Sequence, residues 1–155
     1  MISVDSVTKY YGNNLGIENV SFRVKKNEIV GLLGKNGAGK STCLNIITGY
    51  ISSDEGTVKI DGYDILKEPA LAKSKIGYLP EKPPVYQDMT VNEYLYFCAD
   101  LKGIEKELRI NHIDEICTLA GINEVRKRLC RNLSKGYTQR LGIAQALIGN
   151  LTPNR

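Results

Sequence analysis

The run from Gly34 to Thr42, GKNGAGKST, constrains the fold of this chain more than any other feature. It fits the pattern G-x-x-x-x-G-K-[ST], in which the backbone N–H groups of a glycine-rich turn surround a phosphate group. The apolar stretch 28–33 before it predicts a buried β-strand, and residues 40–48 after it predict a helix. Free N–H groups and the positive end of the helix dipole would meet at this turn, so the sequence predicts an anion-binding site.

The residue types in this run suit the triphosphate of a nucleotide. Glycine lets the backbone wrap closely around phosphate oxygens because it has no Cβ. We expect Lys40 to reach the β- and γ-phosphates as a catalytic cation, the Ser41 hydroxyl to hold Mg²⁺, and Thr42 to touch the α-phosphate. The predicted binding residues in this loop are Gly34, Asn36, Gly37, Ala38, Gly39, Lys40, Ser41 and Thr42.

Composition sets broad limits on the class of protein. The 155 residues suit one domain, and 25% charged with 42% hydrophobic residues is typical of a soluble globular protein. The net charge of +4 favours anionic ligands slightly and does not by itself indicate nucleic acid. The sequence shows neither an apolar run of membrane-spanning length nor a signal-peptide pattern, which predicts a cytoplasmic protein that meets a membrane only through a partner.

The cysteines and the histidine give no metal-site pattern. None of the four cysteines has C-x-x-C spacing, so we predict reduced and mostly buried thiols. His112 stands alone among polar neighbours, which favours a surface position on a helix over a ligand role.

Hydrophobic periodicity predicts a β-rich N-terminal part. Residues 2–8 and 17–26 alternate apolar and polar side chains, and 57–61 and 75–79 have the length of short strands. The glycine-rich loop and its flanking elements lie within this part, which we place at residues 1–84.

The period becomes helical from Thr90 onward. Thr90 and Glu93 have the spacing of a capping box, Gly103 is expected to end that helix, and a second helix over 105–120 is expected to end at Gly121. We predict a helical insert over residues 85–132, a further helix over 133–150 and a divergent tail over 151–155. The basic run 126–128 favours a solvated face over a nucleic-acid patch.

A second motif lies at the start of the last predicted helix. Residues 133–137 read LSKGY and are followed by Gln139 and Arg140. Together with the glycine-rich loop, this segment resembles the ATP-binding subunits of ABC transporters, whose signature is usually written L-S-G-G-Q. Lys135 and Tyr137 replace the first glycine and the glutamine, and variants of this form resemble those of ABC-2-type export systems.

The resemblance implies a fold and a set of ligands. The expected fold is an α/β P-loop NTPase, similar to an ABC ATPase, with an N-terminal antiparallel β subdomain and a helical insert. The expected ligands are ATP and Mg²⁺. In this family the Ser134 and Gly136 positions face the γ-phosphate held by a second subunit in a head-to-tail dimer, and the helical insert meets a transmembrane permease. The resemblance therefore implies a peripheral location at the inner face of the cell membrane and no nucleic-acid partner.

Two weaker matches add candidate residues. Tyr11 lies where the family keeps an aromatic ring that stacks on adenine, with Tyr10 as the alternative stacker. Glu81 stands where the family usually has a glutamine, and its carboxylate could bind Mg²⁺ or orient water as a catalytic group. The simpler interpretations are a turn tyrosine packed on the sheet and a solvated loop acid.

The resemblance ends near Asn150. The family continues with a Walker B aspartate, a catalytic glutamate and a switch histidine, which residues 151–155 do not supply. We therefore expect a single, C-terminally truncated ABC ATP-binding domain over 1–155 with an incomplete core sheet. The leading function is ATP binding, with hydrolysis in the complete family, to power a membrane exporter. The alternatives are a catalytically inactive nucleotide-binding remnant and a soluble ABC ATPase acting on nucleic acid or the ribosome.

Overall fold

A computed structural model describes residues 1–149 of the chain. These residues divide into two compact units, one over residues 1–76 and the other from residue 77 onward. The predicted subdivision at residue 84 and the single-domain assignment remain predictions.

The first unit is built on an antiparallel sheet of four strands. The strands are β1 Ile2–Tyr11, β2 Asn14–Val24, β3 Glu55–Ile60 and β4 Tyr63–Asp64, in the order β2-β1-β3-β4. Gly12, at a φ of 60°, makes the tight turn between β1 and β2. Alternation buries Val4 and Val58 on one face, where they are register partners in β1 and β3. The predicted N-terminal antiparallel β subdomain is confirmed.

Two helices complete the first unit. Helix α1 covers Lys40–Ile47 and packs Cys43, Ile46 and Ile47 against the buried face of the sheet, while α2 covers Pro69–Ser74 and buries Ala72. The helix predicted to follow the glycine-rich loop is therefore confirmed. Its packing against the sheet determines the direction in which the loop points.

Two predicted strands are wrong. Residues 28–33 and 75–79 form no strand, and the side chains of Ile29 and Leu33 are 100% and 92% exposed. An extended segment becomes a strand only when a neighbouring backbone accepts and donates its hydrogen bonds. Among residues 1–149 no strand pairs with either segment and no parallel pairing occurs. The expectation of an incomplete core sheet is confirmed for these residues.

The second unit is helical. Helix α3 covers Val91–Leu101, α4 covers Lys106–Ala120 and α5 covers Lys135–Leu147, with short 3₁₀ turns at Asn123–Val125 and Cys130–Asn132. Thr90 and Glu93 form the predicted capping box at the start of α3. Gly103 and Gly121 have positive φ where α3 and α4 end, as predicted.

A separate apolar core holds these helices together. Fully buried side chains from all three helices meet in it, among them Leu95, Ile113, Ile116, Leu141 and Ala144. Cys117 and Cys130 are buried there, and all four cysteines are free thiols, as predicted. Within residues 1–149 no group of three or more His, Cys, Asp or Glu side chains could hold a metal ion. None of the helices in this range has the length and apolarity needed to span a bilayer.

The surface position predicted for His112 is wrong. His112 is only 1% exposed, because it shares a face of α4 with Ile116 one turn later. Its Nε2 accepts a hydrogen bond of 3.3 Å from the Gly149 N–H, while its Nδ1 has no partner. Burial lowers the pKa of His112, although the Glu115 carboxylate acts in the opposite direction. His112 is therefore held as a neutral acceptor beneath the end of α5.

The basic run is only partly a solvated face. Lys127 and Arg128 are exposed as predicted, but Arg126 is half-buried. Its Nη2 and Nε donate to Asn92 Oδ1 at 2.8 and 3.1 Å, and its Nη1 contacts Asp114. Burial opposes the charge of Arg126, yet the Asp114 carboxylate and the other neighbours raise its pKa overall. Arg126, at the end of the 3₁₀ turn Asn123–Val125, thus links the first turn of α3 to α4.

We predict that His112 makes stability fall as the pH drops below about 6.5, the ordinary histidine value. The unfolded chain binds a proton there more readily than the folded chain, in which the pKa is lowered. Urea unfolding at pH 7.5 and pH 5.5 should show a smaller loss for His112→Phe than for the wild type. This histidine is the only one in the chain, and equal losses in both proteins would contradict the prediction.

Candidate functional site

The glycine-rich loop reaches helix α1 through a left-handed residue pressed against the sheet. Gly39 is the N-cap of α1 with a φ of 82°, and no side chain caps the helix. A Cβ added to Gly39 would lie 2.2 Å from Ile17 Cγ2 and 2.7 Å from the Gly16 carbonyl oxygen. Both the backbone conformation and the contact with β2 therefore require glycine. The loop is held against the sheet, with the amides of the first turn of α1 left without side-chain partners.

Lys40 closes the loop from inside. Its Nζ donates hydrogen bonds to the carbonyl oxygens of Gly34 at 2.7 Å and Lys35 at 2.8 Å. The Ala38 N–H also donates to the Lys35 carbonyl at 3.2 Å, which forms the turn at the tip of the loop. An ammonium group has three donors, so one N–H of Lys40 remains for a ligand. The loop thus presents a fixed positive charge beside a helix N-terminus.

A cleft of about 410 Å³ lies over this loop. Most of the predicted loop residues line it, whereas Gly34 and Ala38 shape the loop from outside the lining. The lining side chains and backbone groups come from β1, β2, the loop and α1: Tyr11, Leu15, Gly16, Asn36, Gly37, Gly39, Lys40, Ser41 and Thr42. The structure therefore brings together the phosphate-binding candidates and the aromatic candidate that the sequence placed far apart along the chain.

Leu15 and Gly16 are lining residues that the sequence reasoning missed. Gly16 lies within β2, and a glycine inside a strand often marks close approach of another group. That signal was present in the sequence. The loop backbone at Gly39 and the ring of Tyr11 both approach Gly16 closely.

The structure distinguishes between the two candidate tyrosines. The Tyr11 hydroxyl lies 3.3 Å from Thr42 Oγ1, and a Cβ on Gly16 would lie 2.9 Å from Tyr11 Cε2. The ring therefore rests on β2 at the wall of the cleft and stays 49% exposed. Tyr10 is not among the residues that line the cleft, and its N–H donates to Asp54 Oδ2 at 2.6 Å.

The second predicted anion site lies in the helical unit. Ser134 is the N-cap of α5, and its Oγ accepts a hydrogen bond of 3.4 Å from the Tyr137 N–H. Gly136 is exposed in the first turn, and the nearest atom to an added Cβ would be Ser134 Oγ at 4.0 Å. Packing within the unit therefore gives no reason for a glycine there.

Glu81 belongs to the same unit as α5. Its backbone carbonyl accepts a hydrogen bond of 2.9 Å from Gln139 Nε2, and its side chain is exposed. Gly142 lets α5 approach this segment, since an added Cβ would lie 2.4 Å from Leu79 Cδ1 and 2.8 Å from Pro83 Cγ. Gln139 and Gly142 thus position the loop that carries Glu81.

A sequence-family model that matches most of the chain identifies its family. A family model described as ABC transporter matches residues 17–152. The chain belongs to the ABC transporter family of ATP-binding domains. The resemblance inferred from residues 34–42 and 133–140 and the predicted ABC ATPase-like fold are both confirmed.

Relatives and solved structures agree with this family assignment. The chain is 41% identical over 96% of its length to an uncharacterized ABC transporter ATP-binding protein, YxlF of Bacillus subtilis. It is 35% identical over the same share to the linearmycin resistance ATP-binding protein LnrL of that organism. In each case it spans about half of the relative, 48%. A dimeric post-hydrolysis state of the ATP-binding cassette MJ0796, bound to ADP and Pi, matches with a TM-score of 0.84 at 28% identity, over 97% of this chain and 70% of that one.

We predict that Gly39→Ala destabilises this ABC domain more than Gly37→Ala does. Both glycines have positive φ, 82° and 84°, so each substitution should cost about 1–2 kcal/mol of backbone strain. Only the Gly39 Cβ would meet Ile17 and Gly16, whereas the Gly37 Cβ would meet nothing within 4 Å. That overlap should add about 1–3 kcal/mol, measured by urea unfolding. Equal losses would show that the contact with β2 does not hold the loop.

Proposed function

We propose that this chain binds ATP in the cleft above the glycine-rich loop and does so as part of the ATP-binding subunit of an ABC-2-type membrane exporter. The observation that carries the proposal is the convergence of Tyr11, Lys40, Ser41 and Thr42 on one cleft. An aromatic face, an ammonium group and uncapped helix amides are the groups that a purine nucleotide triphosphate requires.

The triphosphate would lie at the N-terminus of α1. The remaining N–H of Lys40 would reach the β- and γ-phosphates, and the backbone amides after Gly37 would surround them. Lys40 would then act as the catalytic cation by stabilising negative charge as it develops on the γ-phosphate. Its two bonds to loop carbonyls hold the ammonium group in place before any ligand arrives.

The adenine would lie at the other end of the cleft, on Tyr11. The ring of Tyr11 is supported from behind by Gly16, and its hydroxyl is anchored near Thr42. A supported and exposed ring can accept a base on its free face without rearrangement. Tyr10 lacks this placement, which favours Tyr11 as the stacking residue.

The residues in the cleft fit Mg²⁺ on the phosphate side. Mg²⁺ in nucleotide sites keeps several waters and needs one or two protein groups beside the phosphate oxygens. The Ser41 hydroxyl at the cleft wall meets that requirement. The role of Glu81 as a Mg²⁺ ligand or water-orienting group stays a prediction from the sequence. A bound Mg²⁺ would supply charge neutralisation at the phosphates, and the Ser41 hydroxyl in the first turn of α1 would hold it.

The first turn of α5 would meet the γ-phosphate of a second copy or a related subunit in a head-to-tail dimer. Supporting this are the open space at Gly136, the N-cap at Ser134, and the dimeric state of the cassette MJ0796 bound to ADP and Pi. We propose that a transmembrane permease is the other partner and holds the subunit at the inner face of the membrane. The variant signature at residues 133–137 supports an export role, because it resembles those of ABC-2-type export systems.

A second candidate function is nucleotide binding without turnover. Among the described residues that line the cleft, none is Asp, Glu or His. Activation of the attacking water by a general base typically contributes on the order of 10²–10⁴-fold to rate. Phosphate release above background, lost in Lys40→Ala, would reject this alternative, while tight binding with no release would favour it.

We predict that Lys40→Ala weakens ATP binding by about 10- to 100-fold, as expected for loss of a hydrogen bond to a charged group. Isothermal titration calorimetry with Mg²⁺–ATP measures the effect. Lys35→Ala is the matched control, because the loop uses its carbonyl oxygen and not its ammonium group. Equal affinity of Lys40→Ala and wild type would contradict the proposed site.

We predict that Tyr11→Ala weakens ATP binding by about five- to one-hundredfold, the usual range for one base on one aromatic ring. Tyr10→Ala is the control on the neighbouring residue and should leave affinity near the wild-type value. Inorganic triphosphate should bind Tyr11→Ala and wild type equally, because it carries no base. A larger loss in Tyr10→Ala would assign the stacking role to Tyr10.

A further inference from the structure

The first turn of α5 carries a tyrosine, Tyr137, in place of the glutamine usual in the family signature, and its hydroxyl makes a hydrogen bond. The Tyr137 hydroxyl donates a hydrogen bond to Glu124 Oε1 in the 3₁₀ turn Asn123–Val125. This bond and the negative charge of Glu124 raise the pKa of the phenol. The bond crosses from α5 to the connection that follows α4.

Arg140, one turn later on α5, holds the same connection at a second point. Its guanidinium lies over the Tyr137 ring, 5.7 Å from the ring centroid, and its Nη1 donates to the Gly121 carbonyl oxygen at 3.1 Å. Gly121 is the left-handed residue that ends α4. A Cβ on Gly121 would lie 3.2 Å from Arg140 Nη1, so the approach is close. Tyr137 and Arg140 therefore hold both ends of the segment 121–124 against the start of α5.

We infer that Tyr137 is a positioning residue: through its hydrogen bond to Glu124 it sets the orientation of the first turn of α5, and with it the exposed groups of Ser134 and Gly136. The inference rests on the proposed function, in which that turn receives the γ-phosphate held by a second copy. The long 3.4 Å bond from the Tyr137 N–H to Ser134 Oγ supports the need for an additional restraint, because this cap alone holds the turn weakly.

Glu124 also connects this restraint to a surface cleft. It lines a polar cleft of about 650 Å³ together with Thr90, Asn92, Glu93, Asn123, Arg126 and Lys127. Glu93 is used in the capping box of α3 and Arg126 in its bonds to Asn92 and Asp114. The Tyr137 bond therefore ties the first turn of α5 to a wall that is itself held by α3 and α4.

The experiment compares four variants of the full chain. Tyr137→Phe removes the hydroxyl and keeps the ring beneath Arg140, Glu124→Ala removes the acceptor, and Glu124→Gln keeps an acceptor oxygen. Tyr86→Phe is the matched control, because the Tyr86 ring contacts Phe97 while its hydroxyl has no hydrogen-bond partner among the described residues. Hydrogen exchange of the amides at 135–138 is measured first, without nucleotide.

We expect exchange in this turn to be about two- to tenfold faster in Tyr137→Phe and Glu124→Ala, the range for one lost hydrogen bond. Glu124→Gln should restore protection and Tyr86→Phe should not change it. Unchanged exchange in Tyr137→Phe, or equal exchange in Glu124→Gln and Glu124→Ala, would overturn the inference.

The second measurement separates positioning from general stability. Sedimentation and calorimetry with Mg²⁺–ATP should show that Tyr137→Phe weakens nucleotide-driven self-association about two- to tenfold while ATP affinity stays unchanged. If Tyr137→Phe and the wild type self-associate equally strongly with Mg²⁺–ATP, the positioning role would be overturned and the proposed function would remain intact. No ATP binding by the wild type would instead overturn the proposed function, and the positioning role at the γ-phosphate would fall with it.

Discussion

The close approach of Gly39 to the Gly16 carbonyl oxygen and the Ile17 side chain in β2 is the constraint on which the proposed nucleotide site depends. It places a left-handed turn directly against the sheet, in a space that no Cβ can share. Helix α1 begins at that turn without a side-chain cap, and its first residues, Lys40, Ser41 and Thr42, line the cleft. Lys40 can then reach back to two carbonyl oxygens of the loop and close it around the place where phosphates would lie. The antiparallel sheet therefore acts as the support of the site.

The two units each carry one part of the proposed chemistry. Residues 1–76 hold the cleft with its lysine, hydroxyls and tyrosine, and the helical unit holds Glu81 and the first turn of α5. The first unit also exposes Ile29 and Leu33 in the segment that leads to the loop. Apolar side chains in an extended segment are usually covered when a sheet forms on both sides of them. The segment illustrates that a strand pattern in a sequence predicts a strand only where partner strands are present.

Short-range sequence patterns predicted the structure well where a few neighbouring residues determine the local backbone conformation. The capping box at Thr90 and Glu93 satisfies amides within one turn, and Gly121 ends α4 because a left-handed φ is needed at that one position. The loop from Gly34 to Thr42 is of the same kind. The surface position predicted for His112 was wrong, because polar neighbours in the sequence do not show which face of a helix a residue occupies. Its spacing from Ile116 places His112 in the core.

The sequence by itself determined the family, the presence of the glycine-rich loop and the approximate extents of the helices in the second unit, because each depends on local backbone conformation or on a motif of fixed spacing. Only the tertiary structure decided which tyrosine borders the cleft, that Gly16 lines it, and that Tyr137 bonds to Glu124. It also decided that residues 28–33 lack strand pairing. These features depend on contacts between groups that are distant in sequence. Local sequence patterns do not predict the free energy of such contacts.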